Sequence, residues 1–158
     1  MKLEYFDING RALLPRCLFA YTNTEFEDYR LSMPDFGAKK AQGAYKFGQV
    51  PVMYMDDGKQ MTQSMAIARY IAATFKGPNG ENLYPIHEDP MLAYKIDMVI
   101  SNLEPLQKEW VNFTIPFVPG YKDKDEHFIK FICKTYPEYL SKMEERFSTN
   151  GGKYILGN

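Results

Sequence analysis

The stretch Gly48–Tyr70, GQVPVMYMDDGKQMTQSMAIARY, decides how the rest of the chain is read. Val50 to Met55 reads as a short apolar strand, Asp56-Asp57-Gly58 as a tight turn into a second strand, and Gln63-Ser64 as the opening of an amphipathic helix. Pro51 at the mouth of a strand fits a non-pairing edge or an unusual peptide geometry. A cis Val50-Pro51 bond would turn the Val50 N–H and C=O outward as a docking edge for another peptide. Ser64, in the first helical turn, would gather a hydroxyl, unpaired N–H groups and the positive end of the helix dipole at one point, which suits a carboxylate. Gln63 beside it offers a donor and an acceptor. A backbone edge at one end and a carboxylate site at the other suit a small γ-linked peptide. The same residues also fit an ordinary loop-to-helix joint, with Ser64 as an N-cap and no ligand.

Upstream, Lys2 to Phe6 reads as a first strand running into a turn at Asn9-Gly10. Arg11 through Tyr21 places Leu14, Cys17, Leu18 and Tyr21 at helical spacing, so this face is expected to pack on a sheet with Cys17 as a core thiol. Pro15 comes early enough in that helix to be accommodated. Thr24 to Leu31 alternates as a second strand, and a short β-α-β link implies a parallel pair with a right-handed crossover. Met33 to Phe47 is irregular, with one short helix at most. The order β-α-β-α-β-β-α is thioredoxin-like.

Downstream, Gly77-Pro78-Asn79-Gly80 and Leu83-Tyr84-Pro85 punctuate a linker, and Asp89-Pro90 opens a helix with a cap followed by proline. Leu92, Ile96, Val99, Ile100 and Leu103 form its apolar stripe, and Pro105 is expected to kink it. Phe113 to Gly120 reads as a proline-containing loop. A second amphipathic run, Lys124 to Phe147, carries Phe128, Ile132, Tyr136, Leu140, Met143 and Phe147, with Pro137 restarting the helix after a bend. The fold class is therefore an α/β thioredoxin-like domain over 1–77 followed by an all-α domain over 88–158.

Composition bounds the partners. The 158 residues are 45% hydrophobic and 25% charged, enough for one sizeable core or two small ones. A net charge of -1 gives no electrostatic case for nucleic acid or an anionic membrane. Lys39-Lys40 and Lys122/Lys124 read as solvated faces. Cys17 and Cys133 stand alone, in neither a redox nor a metal-ligand spacing, and His87 and His127 have no second ligand, so no metal is expected and a reduced cytoplasmic setting is. No apolar run has the length or flanks of a signal peptide or a membrane span. A thioredoxin-like fold without a dithiol must bring its thiol as a substrate.

Val50-Pro51, the Asp57-Gly58 hairpin, Gln63-Ser64 and the Ala66-Ile67-Ala68-Arg69-Tyr70 helix together resemble the glutathione transferases, and KLEYFDINGRA, FAY, EFEDYR and FGQVPV resemble the sigma class. The resemblance implies glutathione as cosubstrate, a small apolar electrophile or an isomerised peroxide as second substrate, and a homodimer. It implies that Tyr5 is the catalytic phenol and that Arg11 is a fixed cation beside the thiolate. A phenol O–H donating to the glutathione sulfur would favour the thiolate. A shift of about two units from a free thiol's pKa of ~8.5 raises the thiolate population roughly ten- to thirty-fold at neutral pH. Phe36 and Lys40 fall where the family places a tryptophan and a lysine at the glycine end of glutathione. Phe36 departs from that pattern because it lacks an indole N–H. Gln49, Val50 and Pro51 complete that side, Gln63 and Ser64 take the γ-glutamyl carboxylate, and Glu104 aligns with an acid that reaches the ligand's amino group across a dimer. Without the neighbouring motif Tyr5 would read as a strand-end packing aromatic, and without the GRA match Arg11 would read as a surface residue; Glu104 reads equally as a solvated helix residue. The end, Tyr154-Ile155-Leu156-Gly157-Asn158, stops where the family continues, so the helical domain is expected to be incomplete and covered by a second copy or a partner protein. The alternative function is a non-catalytic scaffold of the same fold in a larger assembly.

Overall fold

The computed structural model describes residues 1–114, 124–151 and 154–156, without side chains for 111–114. It divides into two compact units, Met1–Glu88 and Asp89–Asn158.

The first unit is built on β1 (Lys2–Phe6), the central strand of a four-stranded sheet. It is followed by α1 (Leu13–Tyr21), β2 (Glu27–Leu31), α2 (Met33–Ala41), β3 (Val52–Tyr54), β4 (Gln60–Thr62) and α3 (Ser64–Thr74). The sheet order is β2-β1-β3-β4, with β1 and β2 parallel and the other two pairs antiparallel. This is the expected thioredoxin-like arrangement, with strands shorter than the sequence pattern suggests at β2 and β3.

Alternation along β1 sends Leu3 and Tyr5 to one face and Lys2, Glu4 and Phe6 to the other. The first face meets Ala12, Phe19, Ile67 and Ile71 around Met53, all buried, and this is the main core. The second face carries a smaller cluster of Leu31, Tyr45 and Val52, flanked by Phe6, Tyr29, Phe36 and Tyr54. Ser32 caps α2, its hydroxyl accepting from the Asp35 N–H at 3.1 Å, and Pro34 sits in the first turn. The Ser-Met-Pro-Asp signal therefore starts a regular nine-residue helix where the sequence reads as mostly irregular.

Two expectations for α1 are corrected. A short 3₁₀ turn at Gly10–Ala12 precedes it, and its inward residues are Ala12, Pro15 and Phe19. Leu14 (37%) and Tyr21 (52%) are exposed, and Cys17 is exposed as well. The reason is the phase set by the preceding turn, which points the 12-15-19 stripe at the sheet and rotates Cys17 outward. The linker residues after α3 also fold back on this unit: the Tyr84 N–H donates to the Ala72 carbonyl at 3.1 Å, and the Tyr84 side chain is buried.

The second unit holds α4 (Pro90–Thr114), α5 (Lys124–Lys130) and α6 (Tyr136–Thr149). Asp89 caps α4 by accepting from the Leu92 N–H at 2.9 Å. The helix runs on through Pro105. Between α5 and α6, Phe131–Thr135 forms a π turn. Pro137 has no N–H and its ring would crowd the carbonyl four residues earlier, so a wider turn there relieves both problems. The expected apolar stripes are only partly covered: Leu92, Ile96, Val99, Ile100, Met143 and Phe147 are half-buried. Leu103, Phe128, Ile132, Tyr136 and Leu140 are exposed, whereas Phe131 is buried, its ring centroid 5.9 Å from that of Tyr136 and 6.2 Å from that of Trp110. The expected loop of Phe113 to Gly120 falls largely outside the described residues, and Phe113 itself belongs to α4. Among the described residues, no helix is long and apolar enough to cross a membrane.

The exposure of Cys17 has a direct chemical readout. Ellman's reagent should titrate both cysteines of the native chain without denaturant, and Cys17→Ser should halve that number. A single reactive thiol in the native wild type would restore the inward reading of Cys17.

Candidate functional site

A cavity of about 510 Å³ opens in the first unit at the ends of β1 and β4 and the start of α3. It is lined by Tyr5 and Phe6 from β1, Arg11 from the turn before α1, Phe36 and Lys40 from α2, Phe47 to Pro51 ahead of β3, and Thr62 to Ser64. Nine of the ten residues singled out from sequence thus come together: Tyr5, Arg11, Phe36, Lys40, Gln49, Val50, Pro51, Gln63 and Ser64. The tenth, Glu104, is an exposed residue of α4 in the second unit. Phe6, Phe47, Gly48 and Thr62 also line the cavity and were not foreseen. Strand alternation alone would assign Phe6 to the face opposite Tyr5. Its place at the strand's last residue is what brings it to the rim.

Tyr5 is 5% exposed, and its Oη accepts a hydrogen bond from the Arg11 backbone N–H at 3.2 Å. That bond uses a lone pair and leaves the phenolic hydrogen available to a ligand. Arg11 therefore acts on Tyr5 through its amide, while its side chain is a separate, exposed cation on the cavity wall. Gly10 is required at this turn. Its φ is +37°, and a Cβ there would lie 2.6 Å from the Tyr5 Oη. Arg16 braces the turn from beneath. Its guanidinium donates to the Ile8 carbonyl at 2.6 Å and the Phe6 carbonyl at 3.3 Å, is ion-paired to Asp28 at 3.1 Å, and lies 5.8 Å from the Tyr5 ring centroid. Arg16 was missed in the sequence because its partners are backbone carbonyls and a residue from the next strand.

At the other side, the Val50-Pro51 bond is cis. Val50 and Pro51 precede β3, outside its ladder with β1 and β4. Gln63 occupies the α3 N-cap with φ +72° and ψ 110° and makes no side-chain capping bond. A non-glycine residue held there costs of order 1–3 kcal/mol, a kind of strain that concentrates at ligand sites. Ser64 is the first helical residue, not the cap, and it is buried at the cavity floor. The first N–H groups of α3 thus face the cavity without a side-chain cap.

The cavity lining contains two cations, Arg11 and Lys40, and no carboxylate. Lys40 lies with its Nζ 5.6 Å from the Phe36 ring centroid. Together with the α3 N-terminus, this wall favours a ligand carrying two negative charges. Its neighbour Lys39 points elsewhere, to the buried carboxylate of Glu4 at 2.9 Å. The lysine pair is therefore split between two jobs and is not one solvated face.

The Glu4 cluster perturbs its neighbours. The hydrogen bond to Glu4 raises the Lys39 pKa above its ordinary 10.5. Burial, then the hydrogen bond to Glu4, raises the Tyr45 hydroxyl well above its ordinary 10.0, and burial does the same more weakly for Tyr54. Lys2 and Tyr29 complete the groups facing Glu4 on this side of the sheet.

Comparison with known proteins places this geometry. The family model described as "Glutathione S-transferase, N-terminal domain" matches residues 1–73. Glutathione S-transferase 3 of Caenorhabditis elegans is 34% identical over 162 residues, covering 99% of this chain and 72% of that protein. The hematopoietic prostaglandin D synthase of Homo sapiens is 25% identical, covering 99% of this chain and 70% of that one. The solved sigma class GST of Fasciola hepatica superposes with a TM-score of 0.75 at 29% identity, covering 99% of this chain and 70% of its own. A thioredoxin-like domain with a cationic cleft at the strand ends is the class that the fold and cavity define. The chain belongs to the glutathione S-transferase family.

Each raised pKa in the Glu4 cluster has the same consequence for stability. A folded-state pKa above the unfolded value contributes stability that is complete below the unfolded pKa and is lost as pH rises through the folded one. Urea midpoints should therefore be flat to about pH 10 on this account and fall above it. Tyr45→Phe should lower the midpoint at pH 8 and flatten the alkaline fall. An equally steep fall in that variant would remove Tyr45 as a cause.

Proposed function

We propose that the cavity binds glutathione and that the protein activates its thiol for attack on a small apolar electrophile, or for a glutathione-dependent isomerisation. The observation that carries this reading is the match of charge and donors to that tripeptide. As the thiolate, glutathione carries two carboxylates, one sulfur anion and one ammonium, a net charge of about −2 near neutrality. The lining offers Arg11, Lys40 and an uncapped helix N-terminus, with no acid to oppose them.

In this reading Ser64 and Gln63 take the γ-glutamyl carboxylate at the α3 N-terminus, and the Val50 backbone pairs with the cysteinyl peptide unit as an added strand would. Lys40 and Gln49 meet the glycine carboxylate, with Phe36 beneath it. Tyr5 donates its hydroxyl hydrogen to the sulfur, and Arg11 adds a positive potential. The enzyme supplies orientation and a more populated nucleophile, and the sulfur lone pair forms the new bond to the electrophile as the leaving group departs with its electrons. The ammonium of the ligand finds no acid in this lining. In a homodimer, Glu104 of a second copy would answer it. The human relative named a prostaglandin D synthase makes isomerisation the second chemistry to assay.

Three measurements test the reading. Wild type should be retained on immobilised glutathione and should conjugate chlorodinitrobenzene. Tyr5→Phe should keep retention while kcat/KM falls about 10- to 100-fold, since it removes a hydrogen bond made to developing charge. Ser64→Ala should instead weaken retention. Full activity in Tyr5→Phe would leave the binding site but remove the assigned catalyst, and absence of both retention and turnover in the wild type would end the enzyme reading.

A further inference from the structure

Glu4 is a carboxylate in the middle of the central strand with 1% of its surface exposed. Its Oε1 accepts from the Tyr45 hydroxyl at 2.5 Å and from the Lys39 ammonium at 2.9 Å, and the Lys2 ammonium stands 4.0 Å from Oε2. A charge so deep persists only where it is paired and hydrogen-bonded, and removing one partner from such a group is costly. Its two closest partners come from a single stretch of chain, Lys39 from the last turn of α2 and Tyr45 from the segment behind it.

That stretch also supplies Phe36, Lys40, Phe47, Gly48 and Gln49 to the cavity, whereas Glu4, Lys39 and Tyr45 do not line it. The connections between the two sets are short. Tyr45 stacks on Phe36 with centroids 5.6 Å apart, and its carbonyl accepts from the Gly48 N–H at 2.8 Å. Lys40 follows Lys39 directly. The α2 helix buries none of its own residues, so apolar packing alone holds it weakly. Phe36 against Phe6, at 5.2 Å between centroids, and the Glu4 pairings are what fix it to the sheet.

We propose that Glu4 is a positioning residue for the glycine end of the ligand: by gripping Lys39 and Tyr45 from the sheet face beneath α2, it sets where Phe36, Lys40 and Gln49 stand in the cavity. This rests on the glutathione reading of the site. The γ-glutamyl end is held by Gln63 and Ser64 at the start of α3, a helix packed on the opposite face of the sheet and out of reach of the Glu4 cluster. Loosening the cluster should therefore disturb one end of the tripeptide and spare the other.

The test is calorimetric titration of the 158-residue chain with glutathione and with γ-glutamylcysteine, which lacks the glycine. Wild type is compared with Glu4→Gln, Lys39→Met and Tyr45→Phe. Wild type should prefer the tripeptide. Each variant should bind glutathione about tenfold more weakly, as expected when part of a charge-assisted hydrogen bond's worth is transmitted. Affinity for the dipeptide should stay within about twofold of wild type, so the preference collapses. An equal loss for both peptides, or no loss for either, would show that Glu4 only stabilises the fold and would overturn the proposal. If Glu4→Gln fails to fold, Lys39→Met gives the same comparison, because that side chain is one-third exposed and can be replaced from the surface. Wild type that binds neither peptide would refute the glutathione reading itself. Wild type that binds both equally would leave that reading intact and refute only the role assigned to Glu4.

Discussion

The strand Lys2–Phe6 is buried on both of its faces, and nearly everything else in the first unit follows from how it divides its side chains. Leu3 and Tyr5 join the apolar core under α1 and α3. Glu4 faces the smaller aromatic cluster under α2 and its following segment. One strand therefore presents a phenol to the cavity and, one residue earlier, anchors the chain segment that forms the cavity's far wall. Its last residue, Phe6, bridges the two, touching both Tyr5 and Phe36.

The cavity has no dedicated element of its own. It collects the ends of strands and the start of a helix, where backbone groups are left without ladder or helical partners. Two unusual backbone positions meet there, the left-handed φ at Gln63 and the close turn at Gly10. Natural sequences break local rules where a ligand must be met, and these breaks are offset by the well-packed core behind them. The electrostatic design is equally plain. The two cations of the lining oppose no acid, while the one buried carboxylate of the first unit, Glu4, stands outside the lining, already matched by Lys39 and Tyr45.

What could be read from the sequence was what depends on local rules. Val50-Pro51, Gln63-Ser64 and Gly10 are punctuation, and punctuation fixes backbone geometry within a few residues, so that part of the cavity wall was legible from local rules. Tyr5, Arg11, Phe36 and Lys40 were reached only through the family resemblance, and Phe6, Phe47 and Thr62 by neither route. The phases of the helices were not. Cys17 was expected inward, but the 3₁₀ turn at Gly10–Ala12 rotates α1 so that Pro15 and Phe19 take that place. In the second unit Phe131, the first residue of the π turn before Pro137, is buried where Ile132 was the expected inward residue. A single inserted or tightened turn leaves the periodicity intact and changes only its origin, which a pattern read along the chain does not register. Glu4 and Arg16 were missed for a different reason, since their partners are distant in sequence and meet them only through the sheet.

Lys39 and Lys40 are adjacent, chemically identical and about 100° apart around the helix, and they do opposite work. Interchangeable side chains thus receive their roles from helical phase alone. Point substitution between the two types of basic residue would disturb this segment less than a change of length would. Adding one residue between Pro34 and Lys39 would turn the inner ammonium out to the cleft and the outer one away from it, and deleting one would turn the outer ammonium inward and leave the cleft without its lysine, whereas the hairpin tip at Asp57-Gly58 has no such constraint. Length polymorphism among related chains should accordingly be sparse in that half-helix and common at the tip.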